Sequence, residues 1–120
     1  MYGLIGKMKA VSGQRDALIA ILLDGISNMP GCLSYIVAKD PTDDDSIWIT
    51  EVWDNQSSHK ASLSLDSVRE AITKARPLIA GFDEHIETQP VGGQVPRMIQ
   101  ITTAIPPASP AKSYWKDRLR

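Results

Sequence analysis

The sequence predicts an α+β domain in which helices cover one face of an antiparallel sheet. Three observations support this. Apolar spacing along residues 1–90 switches between period two and helical spacing in the order β-α-β-β-α-β. The two stretches richest in β-formers, 32–39 and 46–53, are separated by a short polar turn that is typical of a hairpin. The 120 residues suffice for one domain with its own hydrophobic core.

The composition is that of an ordinary globular protein, with 42% apolar and 22% charged residues. The net charge of -1 gives no strong field, so we expect neither nucleic acid nor membrane as a partner. The single cysteine, Cys32, excludes an internal disulfide framework and a thiolate zinc cluster. No apolar run approaches the about 18 residues of a membrane span, and the N-terminus lacks a signal-peptide pattern. We therefore expect a cytoplasmic protein.

The first strand and helix are predicted from residues 2 to about 29. Residues 2–10 are expected to form a strand, in which Gly3 and Gly6 weaken the pairing or allow a ligand to approach the backbone. Ser12 is a suitable N-cap for the helix that follows. Its apolar spacing continues to Met29, where a Pro-Gly pair ends it.

The remaining elements are a hairpin, two helices and a last strand. Strands 32–39 and 46–53 form the hairpin, with a loop of about six residues that begins at an Asx-type turn. A short helix capped by Asp54 or Asn55 is expected to reach Ser62, and a second to cover 66–76. Residues 83–89 alternate as an edge-like strand. This order is the ferredoxin-like one, with helices on one face of the sheet.

The opposite face of the predicted sheet also needs a cover. The third strand is apolar on both sides, which leaves one apolar surface without helices. A second copy of the chain is the simplest cover, so the pattern predicts a homodimer. The two sides carry Ile47, Ile49 and Trp53 on one and Trp48, Thr50 and Val52 on the other.

Composition changes near residue 90. Five of the eight prolines lie between positions 90 and 110. Residues 1–90 hold 8 Lys/Arg and 13 Asp/Glu, whereas residues 91–120 hold 5 Lys/Arg and 1 Asp. We therefore predict a domain at 1–90 and a proline-rich, basic extension at 91–120, with one possible further strand at 98–105.

Three segments around the hairpin carry a family resemblance. Residues 29–35 have the sequence MPGCLSY, Asp40-Pro41 marks the turn, and residues 47–54 have the sequence IWITEVWD, followed by His59. Over about residues 1–90 the chain resembles the antibiotic biosynthesis monooxygenase (ABM) family. The resemblance implies a dimeric α+β barrel. The family includes quinol and anthrone-type monooxygenases that work without metal or flavin, haem-degrading relatives, and members with no known substrate.

The chain departs from the family pattern in two places. No second histidine follows His59 in residues 60–65, and the first strand lacks the asparagine that the haem-degrading branch pairs with its histidine. Haem is therefore less expected. His59, His85 and Cys32 share no metal-ligand spacing, so we expect no metal and no other cofactor. His85, beside two glutamates, is expected to be a solvated edge residue.

The candidate catalytic residue is His59. Glu51 and Trp53 lie two positions apart on one strand and face the same side, so His59 on the next helix could approach them and close a pocket for a planar aromatic ligand. An ordinary histidine pKa of about 6.5 allows proton acceptance at neutral pH, as a general base requires. The alternative is a surface histidine on a polar helix.

Three further residues are candidates for substrate binding. Trp53 could stack on an aromatic ring or belong to the core, and Tyr35 could donate a hydrogen bond to a substrate carbonyl or simply pack its ring. Glu51 could act in catalysis or form an ion pair with Arg76 or Arg69. The resemblance implies a cofactor-independent monooxygenase acting on a small aromatic hydroxy compound. The alternative is a non-catalytic ligand-binding or stress-response module on the same barrel.

Overall fold

The structure, a computed structural model, describes residues 1–26 and 28–94, and it confirms the predicted α+β class and element order. The possible strand at 98–105 lies outside the described residues, and the boundary at residue 90 stays a prediction. The elements are β1 (Tyr2–Ala10), α1 (Arg15–Asp24), β2 (Cys32–Lys39), β3 (Ser46–Trp53), α2 (Gln56–Ser62), α3 (Asp66–Ala75), a 3-10 turn (Arg76–Leu78) and β4 (Ile79–Thr88).

The four strands form one antiparallel sheet in the order β2-β3-β1-β4. This is the ferredoxin-like strand order, in which the first and third strands occupy the centre and the helices cross over one face. The central pair runs in a continuous register from Tyr2 opposite Trp53 to Lys9 opposite Ser46. The dimeric barrel stays a prediction, because the structure contains one chain.

Helix α1 is shorter than the apolar spacing predicts. It ends at Asp24 and not near Met29, with Gly25 in the C-cap position. A Cβ on Gly25 would lie 2.5 Å from the Cβ of Ala71, so the end of α1 packs directly on α3. Asn28 then adopts a left-handed φ of 56°, which a continuing helix would not allow. The start differs too, because Gln14 takes the N-cap position predicted for Ser12.

Strand β4 begins at Ile79, four residues before the predicted start at residue 83. Its pairing with β1 shifts register twice, between Lys7 and Met8 and between Lys9 and Ala10. A register shift moves subsequent side chains to the other face of the sheet, so period two does not hold through this part of the strand. The alternation of residues 83–89 therefore marks only the second half of β4.

The core lies between the sheet and the helices. Leu18 on α1 and Ile47 on β3 are fully buried, and Ala10, Ile49 and Ala75 complete the cluster. Since alternate residues of a strand share a face, the odd-numbered residues of β3 point toward the helices. Glu51 and Trp53 are thereby placed on the helix side.

The other side of the sheet, here called the open face, carries no helix from residues 1–26 and 28–94. Trp48 lies there as predicted, and Ile36 and Ile86 on the two edge strands are 44% and 48% exposed. Near the turn, Asp40 accepts hydrogen bonds from the backbone and side chain of Thr42 and from Trp48 Nε1 at 2.8 Å. These bonds hold the pKa of its carboxyl well below the usual range.

Candidate functional site

A cavity of about 580 Å³ lies between the helix-facing side of the sheet and the helices. Its volume falls within the roughly 300–1,000 Å³ of small-molecule sites. The cavity brings together all four candidate residues, His59, Trp53, Tyr35 and Glu51. The rest of its wall is mainly aliphatic and includes Met8, Leu22, Ile49, Val68, Ile72 and Ile79.

Glu51 is the centre of a polar cluster at one end of the cavity. Trp53 Nε1 donates a hydrogen bond to Glu51 Oε1 at 3.0 Å, and His59 Nε2 lies 3.9 Å from the same oxygen. The His59 ring is nearly edge-on to Trp53, with the ring centroids 5.4 Å apart. We call these three residues the Glu51 cluster. It places a carboxyl group, an imidazole and an indole against one apolar space.

The position of His59 follows from the packing of a short helix. Asn55 caps α2 by accepting a hydrogen bond from the Ser58 backbone N–H at 2.8 Å. Gly31 adopts a φ of 82°, and a Cβ there would lie 2.5 Å from Ser58 Oγ, so the chain before β2 packs directly on α2. The Ser62 hydroxyl donates to the His59 carbonyl at 2.6 Å. These contacts hold His59 over the sheet.

Burial controls the ionisation of Glu51. Loss of solvation raises the pKa of its carboxyl above the usual value, and the hydrogen bond from Trp53 and the nearby His59 and His85 oppose this only in part. Loss of solvation also raises the pKa of Tyr35 well above its usual value, and the charge of Glu51 adds to the effect. Tyr35 therefore keeps its proton at neutral pH and can act as a hydrogen-bond donor.

The predicted ion pair between Glu51 and Arg76 or Arg69 is wrong. Among the described residues, His59 is the ionisable group that approaches Glu51 within 4 Å. The carboxyl lies near the end of β3, where α2 begins, whereas the arginines belong to α3 and the turn after it. Arg76 nevertheless lines the same cavity, and Arg69 does not.

Tyr2 is a neighbour of the site that the sequence analysis missed. Its ring centroid lies 5.6 Å from that of His59, and its hydroxyl donates a hydrogen bond to Glu87 Oε1 at 3.0 Å. Tyr2 stands opposite Trp53 in the register of β1 and β3. Knowledge of that register would have found it, because directly opposed residues share a face.

Gly6 lies on the sheet beside cavity-lining residues. It stands on β1 between Leu4 and Met8, on the side that faces the helices, and opposite the cavity-lining Ile49. A Cβ built there would meet the Glu84 carbonyl oxygen at 3.8 Å, an ordinary contact distance. The approach of a ligand to the backbone at this glycine stays a prediction.

The other titratable candidates do not join a metal site. Within residues 1–26 and 28–94, no three His, Cys, Asp or Glu side chains gather so that they could hold a metal ion. Cys32 is half-buried, and loss of solvation raises the pKa of its thiol. His85 is exposed on β4, as predicted. No helix in these described ranges is long and apolar enough to cross a membrane.

Comparisons with known proteins identify the family to which this fold is similar. Residues 1–74 match the family model described as antibiotic biosynthesis monooxygenase. A crystal structure from Chloroflexus aurantiacus J-10-fl, of a protein named for this family, is 72% identical, with a TM-score of 0.77 over 78% of this chain and 95% of that one. No curated protein is significantly similar.

Two more distant crystal structures, also named for the family, share the fold. The one from Caulobacter crescentus CB15 is 20% identical, with a TM-score of 0.70 over 76% of this chain and 90% of that one. The one from Deinococcus radiodurans is 24% identical, with a TM-score of 0.64 over 82% and 99%.

Proposed function

The chain belongs to the antibiotic biosynthesis monooxygenase family, and from this premise we propose that it oxygenates a small aromatic hydroxy compound with O₂. The substrate would be a quinol or an anthrone-like phenol, bound in the cavity between sheet and helices. The observation that carries the proposal is the Glu51 cluster. It places a proton acceptor, His59, beside a carboxyl group at the end of an apolar pocket.

The reaction needs a base and a dry site. For an anthrone-like substrate, His59 accepts a proton from the reactive carbon, and the resulting anion transfers an electron to O₂. Recombination forms a C–O bond and, after protonation, a hydroperoxide. Loss of water leaves a carbonyl group, so one CH₂ group and O₂ become C=O and H₂O. The substrate supplies all four electrons, and O₂ is the oxidant.

Each residue of the site has a role in this scheme. The Glu51 carboxylate, 3.9 Å from His59 Nε2, stabilises the imidazolium that forms when His59 accepts the proton. Trp53 holds that carboxylate through its indole N–H and offers an aromatic wall to the substrate ring. Tyr35, which keeps its proton, donates a hydrogen bond to the substrate oxygen on which negative charge develops.

The proposal includes a homodimer formed through the open face. The partly exposed Ile36 and Ile86, which stand in one row across the open face with Thr50 and Ile5 between them, support this, because exposed apolar patches mark interaction surfaces. The dimer would close the sheet side of each protomer and leave the cavity on the helix side.

Oxygen uptake tests the proposed reaction. We would measure uptake by chelator-treated protein with a panel of quinols and anthrones, and compare His59→Ala with wild type. Uptake should fall more than tenfold in the variant, because the general base is lost. Lys60→Ala is the matched control, since this residue is exposed on the same helix and does not line the cavity, and its uptake should stay within twofold.

Two outcomes contradict the proposal in different ways. Unchanged uptake in His59→Ala would support the oxygenase reaction and show that His59 is not its base. Binding of panel compounds with no uptake above autoxidation would overturn the reaction and favour a ligand-binding module.

A further inference from the structure

We infer that the cavity selects an elongated aromatic ligand with an anionic group at one end, and that Arg76 binds that group. The inference rests on the proposed function, because it assigns a substrate class to the same cavity. Three features carry it: the charge of Arg76 in the cavity wall, the separation of the two polar ends, and the aliphatic wall between them.

Arg76 is the one lysine or arginine among the described residues that line the cavity. Its side chain is exposed, and it makes no ion pair within residues 1–26 and 28–94. Pro77 follows it in the 3-10 turn and restricts the backbone there. A positioned guanidinium without a structural partner is suited to bind a carboxylate, which it can hold through two parallel hydrogen bonds.

Arg76 and the Glu51 cluster lie at different ends of the cavity. Glu51 stands opposite Leu4 on β1, whereas the strand that follows Arg76 begins at Ile79, opposite Ala10. Six residues of strand span on the order of 20 Å, a distance that the side chains shorten from both ends. A ligand that reaches both groups must therefore be longer than a single ring.

The wall between these ends is aliphatic and suits an apolar ligand body. Met8 and Ile49 belong to it, on β1 and β3 of the sheet. Fused aromatic rings would lie against this wall, with the reactive ring at the Glu51 cluster and the carboxylate at Arg76. This orientation would also place the ligand carboxylate far from Glu51, which limits the repulsion between the two negative charges.

A matched pair of ligands isolates the charge. Anthraquinone-2-carboxylate and anthraquinone-2-carboxamide have nearly the same shape and differ by one negative charge. Their dissociation constants for the full chain at pH 7.5 can be measured by calorimetry. We expect the acid to bind at least fivefold tighter than the amide, and 0.5 M NaCl to reduce the difference by screening the exposed arginine.

Three variants assign the effect to residues. Arg76→Gln should remove the preference for the acid and leave amide binding unchanged, and Arg76→Lys should restore part of the preference. Arg69→Gln is the matched control, because it removes an exposed arginine that does not line the cavity. It should retain the preference.

The inference is overturned if wild type binds acid and amide equally, if neither binds, or if Arg76→Gln weakens both to the same extent. Failure of the proposed function is a separate result. A preserved preference for the acid, with no O₂ uptake on any quinol or anthrone, would keep the anion site and remove the oxygenase. O₂ uptake on uncharged substrates, with no preference for the acid, would keep the oxygenase and remove the anion site.

Discussion

Trp53 donates its indole N–H to the carboxylate of Glu51, 3.0 Å away and two residues earlier on the same strand. Alternate residues of a strand point the same way, so a side chain can bond its second neighbour without a turn. The bond turns Glu51 Oε1 toward the space that His59 occupies. It thereby links the orientation of a buried carboxyl group to an aromatic wall of the cavity.

A double-mutant cycle should measure the coupling between Trp53 and Glu51. We would compare Trp53→Phe, Glu51→Gln and the double variant by urea unfolding. The coupling free energy should be about 1.5–3 kcal/mol, the range for hydrogen bonds to charged groups. The packing free energy that each single variant loses cancels from the coupling free energy, because the double variant loses it too. Additivity within about 0.5 kcal/mol would show that the bond does not contribute to stability.

The raised pKa of Glu51 should appear in the pH dependence of stability. A carboxyl whose folded pKa lies above its unfolded value favours the folded state most below the unfolded pKa. That contribution decreases as pH rises through the folded pKa. Glu51→Gln lacks the titrating carboxyl group and therefore lacks this decrease. As pH rises from 4.5 to neutrality, the melting temperature of the variant should rise relative to that of wild type.

Thermal melts of wild type and Glu51→Gln from pH 4 to pH 8 check this expectation. The difference between the two should be smallest at the acid end. Asp44→Asn serves as the control, since it removes a carboxyl on the exposed turn. A constant difference between Glu51→Gln and wild type across the range would contradict the raised pKa.

Gly31 should tolerate a side chain less well than Gly13. Both glycines have left-handed φ angles, 82° and 78°, so alanine strains the backbone at each by about 1–2 kcal/mol. At Gly13 a Cβ meets nothing within 4 Å, whereas at Gly31 it meets Ser58 on α2. Gly31→Ala should therefore lower the free energy of unfolding by at least about 1 kcal/mol more than Gly13→Ala.

Urea unfolding of the two glycine variants measures that difference. Gly31→Ala should also change the NMR signals of the His59 ring, because the clash displaces α2. Equal losses of stability in the two variants, with unchanged His59 signals, would show that the contact between Gly31 and Ser58 does not position the helix.

A charge on the open face should separate the proposed dimer. Ile36→Glu places a carboxylate on the surface where the second copy would pack, at a cost that an apolar interface does not recover. Light scattering should give twice the chain mass for wild type and the single-chain mass for Ile36→Glu. Leu23→Glu is the matched control, because Leu23 is 50% exposed on α1, on the other side of the sheet.

The wild type would contradict the dimer if it had the mass of a single chain. The same mass for Ile36→Glu and wild type would show that any assembly uses another surface. We expect Ile36→Glu to fold normally, since the side chain of Ile36 is already 44% exposed in one chain.

Regular local patterns made most of the fold predictable. Strands β2 and β3 have the predicted ends, since alternation and a polar turn bound both. The pattern failed where long-range packing decides: α1 ends where Gly25 meets Ala71, and β4 shifts register against β1. Neither contact leaves a local trace in the sequence.

The candidate site likewise has one part that local sequence patterns predict and another that they do not. Glu51 and Trp53 share a strand face, and His59 follows within one short helix, so a prediction of their proximity needs only period two and one turn. Tyr2 contacts His59 from β1, and Arg76 lines the cavity from the turn after α3. Their approach depends on the strand register and on the packing of α3, which no local spacing encodes.

The Glu51 cluster depends on a helix of seven residues. Helices this short are unstable alone, so α2 is held by its Asn55 cap and by the packing of Ser58 against Gly31. Segments with few supporting contacts open at a lower free energy than the whole domain. Local opening of α2 would therefore withdraw His59 from Glu51 while the four-stranded sheet stays paired. Amide hydrogens of α2 should then exchange with solvent sooner than those of β1 and β3, and activity should disappear on heating before the fold does.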